Sequence, residues 1–357
     1  MMPYQPYLTT KLPTSLYHYK QTHTPTAQTQ HTYFSTKNTH KHKQISLLSY
    51  HIIVIITMVE EGVVDFNNLP EGCIANIVSL TTPRDACRLC LVSSTFRSAS
   101  ESDAVWDKFL PSDYQTIVSQ SSSSSSSSSF PSKKHLFLFL SQNPLLIDEG
   151  KMSFQVDKVN GKKCYMLSAR MLYIVWGDTP RYWKWVSHPD SRFSEVAELV
   201  SVCWFEIRGW INTRLLSPNT LYAAYFVFKP NPVGAYGFEF QSVDASITID
   251  GGESKDRIVF LDAERGRRLR YQIVPRRGGI FNRTRFVPVV EDNNNNADDL
   301  QCPKEKGDGW LEIELGEFFN EGGEDKEVEM GVYEIKGGDW KGGLVVQGIE
   351  IRPKLHS

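Results

Sequence analysis

Apolar positions along the chain follow two different periods. Across residues 69 to 110, LPEGCIANIVSLTTPRDACRLCLVSSTFRSASESDAVWDKFL, they recur at helical spacing: Ile74, Ile77 and Val78 on one face, then Ala86, Leu89, Val92 and Phe96 on another. Two helices are predicted. Pro70 opens the first, because proline at a first helical position gives up only an N–H that lacks an intrahelical partner. Thr82 can cap the second, with Pro83 in its first turn and Asp85 three residues after the cap, close to a reciprocal capping box. About forty residues of this kind bury too little apolar surface to be stable alone, so a partner is implied.

From Cys164 onward the texture changes to short β-branched and aromatic runs separated by turn residues. CYMLSA, LYIVW, VCWFEIRGWI, LYAAYFVFK, GFEFQSVDASITI, RIVFL, RLRYQIV, GWLEIEL, VEMGVYEI and GLVVQGIEI are the strand candidates. In residues 202 to 207, Cys203, Phe205 and Ile207 form an apolar face, while Val202, Trp204 and Glu206 form a mixed one. Residues 221 to 228 are apolar on both faces, as a central strand requires. Many short strands without intervening helical patterns predict a jelly-roll-like sandwich. The fold class is therefore α+β multidomain: a small helical module followed by an all-β sandwich.

Between the two regions, the serine run from Ser121 to Ser129 has no apolar surface to bury and is expected to be a flexible spacer. Leu136, Phe137, Leu140 and Leu145 then fall near helical spacing and predict a short helix leading into the β region. Residues 1 to 57 show neither period. Their apolar run, Ile45 to Thr57, is broken by Ser46, Ser49, Tyr50 and His51 and falls short of the roughly 20 residues that span a bilayer. No small-residue cleavage site follows it, and Met58 begins MVEEGVVDFNNLP like a natural start. Residues 1–59 are thus expected to be a disordered or spurious extension, 65–111 the helical module, 112–150 a serine-rich linker with a short helix, and 151–357 the β domain.

Composition narrows the chemistry. The 357 residues are 40% hydrophobic and 22% charged with a net charge of −2, which argues against a general nucleic-acid binder. Residues 255 to 285 are basic and 291 to 329 acidic, and the two segments can compensate each other across neighbouring strands. Six scattered cysteines form no disulfide framework and point to a reducing compartment, cytoplasmic and/or nuclear. There Asn282-Arg283-Thr284, a glycosylation acceptor by sequence, would not be used. Cys87 and Cys90 form C-x-x-C inside a predicted helix without a second ligand pair, so no metal is expected. No nucleophile elbow is present and no carboxylate pair stands out, so neither catalytic residues nor cofactors are assigned. Nucleic acid and membrane are not expected as partners.

The helical segment resembles an F-box, the module that docks on the Skp-type adaptor of cullin-based ubiquitin ligases. Leu69-Pro70, Ile74, Ile77, Leu80, Pro83, Ala86, Leu89, Val92-Ser93, Phe96-Arg97 and Val105-Trp106 stand in that family's order. Gly72 and Cys73 depart from it, and the glycine weakens the first helix by up to about 1 kcal/mol. The resemblance implies that Leu69, Pro70, Ile74, Ile77, Leu80, Pro83, Leu89, Val92, Phe96 and Trp106 contact the adaptor and, through it, a cullin.

The region from Ala169 to Lys354 resembles the phloem protein 2 lectins of plants, which bind chitin oligomers and N-glycan cores. ARMLYIVWGDTPRYWKW, EVAELVSVCWFEIRG, SPNTLYAAYFVF, DGWLEIELGEFF, EVEMGVYEI and GIEIRP carry the likeness. A pyranose offers an apolar C–H face to an aromatic ring and hydroxyls to acceptors. The resemblance implies stacking on Trp176 and Trp183, and hydroxyl contacts from Glu327 and Glu334. Trp183 and Trp185 alternate along a strand, so at least one of them belongs to a core. An F-box joined to this domain implies a non-catalytic substrate receptor that binds a glycoprotein, another protein target or a glycan. A free lectin with a vestigial F-box, or a β domain that recognises a protein surface, is the alternative.

Overall fold

The computed structural model describes residues 69–121, 130–239, 241–262, 271–274, 285–288 and 302–354. The expectations for residues 1–57, for the serine run beyond Ser121 and for most of the basic and acidic segments lie outside the described residues. All the described residues belong to one compact unit, 62–357.

Residues 69 to 110 form four short helices, not two: α1 (Glu71–Ser79), α2 (Pro83–Leu89), α3 (Ser94–Glu101) and α4 (Asp103–Phe109). Serines cause the additional breaks. The Ser93 hydroxyl accepts the Phe96 amide at 3.2 Å and starts a new helix, and Ser102 is extended between α3 and α4. The expected Thr82 cap forms. Its hydroxyl accepts the Asp85 amide at 3.1 Å and donates to the Asp85 carboxylate at 2.9 Å, the short aspartate closing on the hydroxyl itself. Ile74, Val78, Ala86, Ala99, Val105 and Trp106 make the core of this module. The Trp106 indole N–H donates to the Ser100 carbonyl at 2.7 Å, and its ring meets Phe109 edge-on at 5.5 Å.

The segment 112–150 is more than a linker. It contains α5 (Tyr114–Ser119), the predicted helix as α6 (Lys133–Gln142) and a strand, β1 (Leu145–Ile147). Phe137 of α6 packs on Trp106 at 5.2 Å, and one continuous hydrophobic core runs from the helices into the β domain. Buried Lys163 reaches Asp113 at 2.9 Å. Gly161 has φ +72°, and a Cβ there would stand 2.7 Å from the Phe109 carbonyl oxygen, so the turn it occupies presses on the end of α4. The helical module is therefore packed on the β domain.

Two antiparallel sheets build that domain. The first runs β1, β2 (Met152–Val156), β3 (Lys163–Ser168), β16 (Leu344–Pro353), β8 (Thr220–Pro230), β14 (Leu311–Asn320), β13 (Lys304–Glu305); β6 (Val196–Leu199) also joins β16 and carries β5 (Trp183–Val186). The second runs β10 (Lys255–Val259), β9 (Val243–Ile249), β15 (Glu327–Glu334), β7 (Phe205–Asn212), β4 (Tyr173–Ile174). A separate hairpin joins β11 (Tyr271–Val274) to β12 (Arg285–Pro288). β8 is central, as its two apolar faces require. β7 alternates strictly, with Phe205, Ile207, Gly209 and Ile211 inward and Glu206, Arg208, Trp210 and Asn212 outward. The sheets meet closely where side chains are absent: a Cβ on Gly209 would be 2.7 Å from Leu172 and 3.3 Å from Ile349. The short strands β1, β2, β5, β6, β12 and β13 carry too few residues to show a period, and sequence reasoning missed them.

Candidate functional site

Two surfaces hold the candidate residues. On the helical module, Leu80 is 77% exposed, Leu91 83% and Val92 67%. They occupy the turns at the two ends of α2, a helix that rises about 10 Å. Pro70 is exposed as well, and Leu69, Ile77, Leu89 and Phe96 are half-buried, each with part of its surface in solvent. Ile74 and Trp106 are buried in the module's own core and Pro83 is buried beside the Gly161 turn, which corrects their assignment as contact residues. Leu91 was missed because a continuous second helix turns it away from the Leu89–Val92–Phe96 face; the break after α2 exposes it beside Val92.

At one end of the sandwich, four connecting segments come together. The Val175 amide donates to the Glu206 carbonyl at 3.1 Å, and the Val200 amide donates to the Tyr182 carbonyl at 2.9 Å. Val202 forms a bridge with Lys341, and Tyr236 with Gly342. The exposed aromatics of these segments are Trp176, Trp204, Tyr236 and Trp340. Trp176 is 43% exposed at φ +57° and lies on the Tyr182 ring at 5.1 Å.

The predicted sugar-binding quartet is not brought together. Trp183 is 2% exposed and packs against Phe205 at 6.3 Å, so its ring cannot serve as a stacking platform; this corrects the sequence expectation. Its neighbour Trp185 is half-buried under the Arg170 guanidinium, 3.7 Å from the ring centre. Glu334 is also buried. It accepts the Gly337 amide at 2.7 Å and forms an ion pair with Lys341, itself wholly buried, so its carboxylate is spent on structure. Glu327 is exposed but sits at the opposite end of β15, eight residues long and so roughly 24 Å away along the strand. Trp176 alone of the four offers a free ring.

The structure adds a row on the outward face of β7 that sequence reasoning did not assign. The Trp204 indole donates to Glu206 at 2.8 Å, and Glu206 accepts from Arg208 at 2.9 Å. Arg208 also bonds Glu329 on β15, which accepts the Trp210 indole at 3.2 Å. The hydrogen bond to Glu329, with that to Glu206, raises the Arg208 pKa above its ordinary value. Period-two alternation was the signal for this row: Trp204 and Glu206 stood on the mixed face of a strand whose other face is wholly apolar. Indole faces beside anchored carboxylates can take C–H faces and hydroxyls together. Among the described residues no group of His, Cys, Asp and Glu could hold a metal ion, and no helix is long and apolar enough to cross a membrane.

A helical module with exposed aliphatic turns, packed on an antiparallel sandwich with an aromatic loop end, defines a two-module binding protein. Residues 66–108 match the F-box domain model and residues 162–353 the Phloem protein 2 model. The F-box protein At2g02240 of Arabidopsis thaliana is 46% identical over 296 residues, 83% of this chain and 82% of the relative. F-box protein PP2-B10 of the same plant is 44% identical over 292 residues, 81% of this chain and 94% of the relative. The chain belongs to the F-box proteins of the phloem protein 2 family. The chain also overlays the Podospora anserina GH26-CBM35 β-(1,4)-mannanase with TM-score 0.26 and 8% identity, over 54% of this chain and 28% of that one, a likeness too slight to bear on the site.

Proposed function

We propose that this chain is the substrate-recognition subunit of a Skp/cullin/F-box ubiquitin ligase, acting in the cytoplasm or nucleus and catalysing no reaction itself. The observation that carries this reading is the solvent exposure of Leu80, Leu91 and Val92 on a module whose core is formed by Ile74, Val78, Ala86, Ala99, Val105 and Trp106. Aliphatic side chains left in water at adjacent turns gain free energy only against another apolar surface. The Skp-type adaptor is that surface, and Leu69, Pro70, Ile77, Leu89 and Phe96 surround the contact. The loop end of the β domain then holds the target, an N-acetylglucosamine-containing glycan or glycoprotein stacked on Trp176 and Trp204. Tethering raises the target's effective concentration near the ligase's E2 enzyme.

Pull-down of the adaptor by the full chain tests the first half, and retention on a chitin column the second. Replacing Leu69 and Pro70 with Ala is expected to abolish adaptor capture and leave the β domain folded. Capture by that variant at the wild-type level would defeat the docking assignment. Binding of a protein target that glycan removal does not weaken would replace sugar recognition by protein recognition.

A further inference from the structure

Strand register sets one row of residues across all five strands of the second sheet: Tyr173 of β4 beside Arg208 of β7, then Gly331 of β15, Ser246 of β9 and Asp256 of β10. The row stands on the outward face, since the alternate positions Ile207, Val332, Ala245 and Val259 are buried beneath the sheet. Its middle is low. A Cβ on Gly331 would be 2.6 Å from the Tyr333 ring and 2.8 Å from the Ser246 hydroxyl oxygen, so the Tyr333 ring lies over the glycine and floors the face. Tyr173 is 55% exposed at the edge, and Trp210 on β7 is its diagonal neighbour, about 7–8 Å away.

Carboxylates surround these rings. Glu206, Asp244, Asp256, Glu327 and Glu329 all stand on the outward face, and among the described residues Arg208 and Lys336 are the cations paired with them. The face is therefore negative, and it repels nucleic acid and acidic peptides. It already holds one guanidinium: Arg208 sits between Glu206 and Glu329, 5.6 Å from the Tyr333 ring centre. The Trp210 N–H is spent on Glu329 at 3.2 Å, so what the indole offers a ligand is its ring face, the strongest of the aromatic cation sites. Five strands measure about 19 Å across and β15 about 24 Å along its length. That area is well under the roughly 800 Å² per partner of a standard globular interface and suits a single peptide segment.

We propose that this face docks an extended Arg- and Lys-rich segment of the target protein, its cations stacking on Tyr173, Tyr333 and Trp210 and pairing with Glu329, Glu327 and Asp256. Tyr, Trp and Arg side chains dominate contact energies where proteins meet. Here the rings come from this chain and the guanidinium groups from the target. The surface shares with the proposed function only that the β domain holds the target. It uses neither Trp176 nor Trp204 and none of the adaptor-binding turns, so loss of sugar binding or of adaptor docking leaves it standing.

Fluorescence anisotropy of a labelled dodecapeptide of alternating Arg and Gly, titrated with the full chain, tests the assignment, with a Glu-Gly dodecapeptide as comparison. Saturable binding of the Arg peptide alone is expected, weakening as salt rises. Tyr173→Leu with Trp210→Leu, which removes two rings and no charge, should weaken it about ten-fold. Tyr173→Phe, which keeps a ring, should bind like wild type. Asp256→Lys with Glu327→Lys, at two exposed positions, should weaken binding about ten-fold or more. All three variants should keep the wild-type circular dichroism and adaptor capture. The proposal is overturned if the Arg peptide does not saturate or the Glu peptide binds as well. It is overturned too if the two-ring variant binds like wild type, which would leave only diffuse attraction to an acidic surface, or if chitotetraose displaces the peptide, which would make the face a glycan site.

Discussion

In the helical module the large apolar side chains most exposed to water are Leu80, Leu91 and Val92; at the loop end of the β domain they are Trp176, Trp204, Tyr236 and Trp340. The first set consists of aliphatic groups on turns between helices of seven to nine residues, which are too short to fold back over them. The second consists of aromatics on loops that close a sandwich, where each strand already buries its inward face. Aliphatic groups have no polar handle and can be matched only by another apolar surface. The Trp204 ring beside Glu206 has a face and an acceptor within reach of one ligand. On the proposed function, that contrast matches a protein partner to one end and a polyhydroxylated ligand to the other.

The comparison breaks most severely if the buried tryptophan of the helical module is removed. Trp106→Ala should cost about 3–5 kcal/mol of stability and abolish adaptor capture, measured by urea denaturation and pull-down; a variant that unfolds like wild type would mean the module lacks the core described. A comparable loss tests the β domain. Glu334→Gln leaves Lys341 buried without its partner, at about 3–5 kcal/mol. Were Glu334 a ligand contact instead, chitin retention would fall while the Tm held.

Smaller effects separate the surfaces. Leu91→Ser with Val92→Ser should weaken adaptor affinity by about ten- to a hundred-fold and leave the Tm nearly unchanged, as read by surface plasmon resonance and calorimetry. Trp204→Ala should weaken chitin retention by about ten-fold without affecting the adaptor; loss of both would show that the two surfaces are one.

The smallest effect is acid lability. Burial alone would raise the pKa of Glu350, but Lys306 at 2.6 Å, Arg192 and Arg352 overcome it and hold the carboxyl below its usual value of 4.5. Glu314 is likewise held low by Lys354 and Arg257 against its own desolvation. A folded-state pKa below the unfolded one gives stability that is complete above about 4.5 and is lost as pH falls through the folded value. The Tm should therefore drop below pH 4.5, and Glu350→Gln should flatten that drop while lowering the Tm at pH 7. An unchanged acid slope in the variant would remove Glu350 from the account.

Much of this was legible in the sequence because it depends on neighbours along the chain. The Thr82 cap, the helix at Lys133–Gln142, the central place of β8 and the alternation of β7 all follow from local period and capping chemistry. The order of motifs was enough to identify the family. The candidate sites were less legible, because exposure depends on contacts distant in sequence. Trp176 and Trp183 lie seven residues apart in one aromatic run, yet a positive-φ turn leaves the first in solvent, while strand pairing of the second with Leu199 buries it against Phe205.

By itself the sequence determined where the helical region gives way to strands, which faces of the longer elements are apolar and which two modules follow one another, since short-range sterics and hydrophobic period act within a few residues. Only the tertiary structure decided that Glu334 is consumed by Lys341, that Leu91 escapes burial and that the helical module packs on the β2–β3 turn. Those outcomes depend on which distant surfaces close on one another, and burial, not residue type, then separates a side chain that packs the core from one left free to bind.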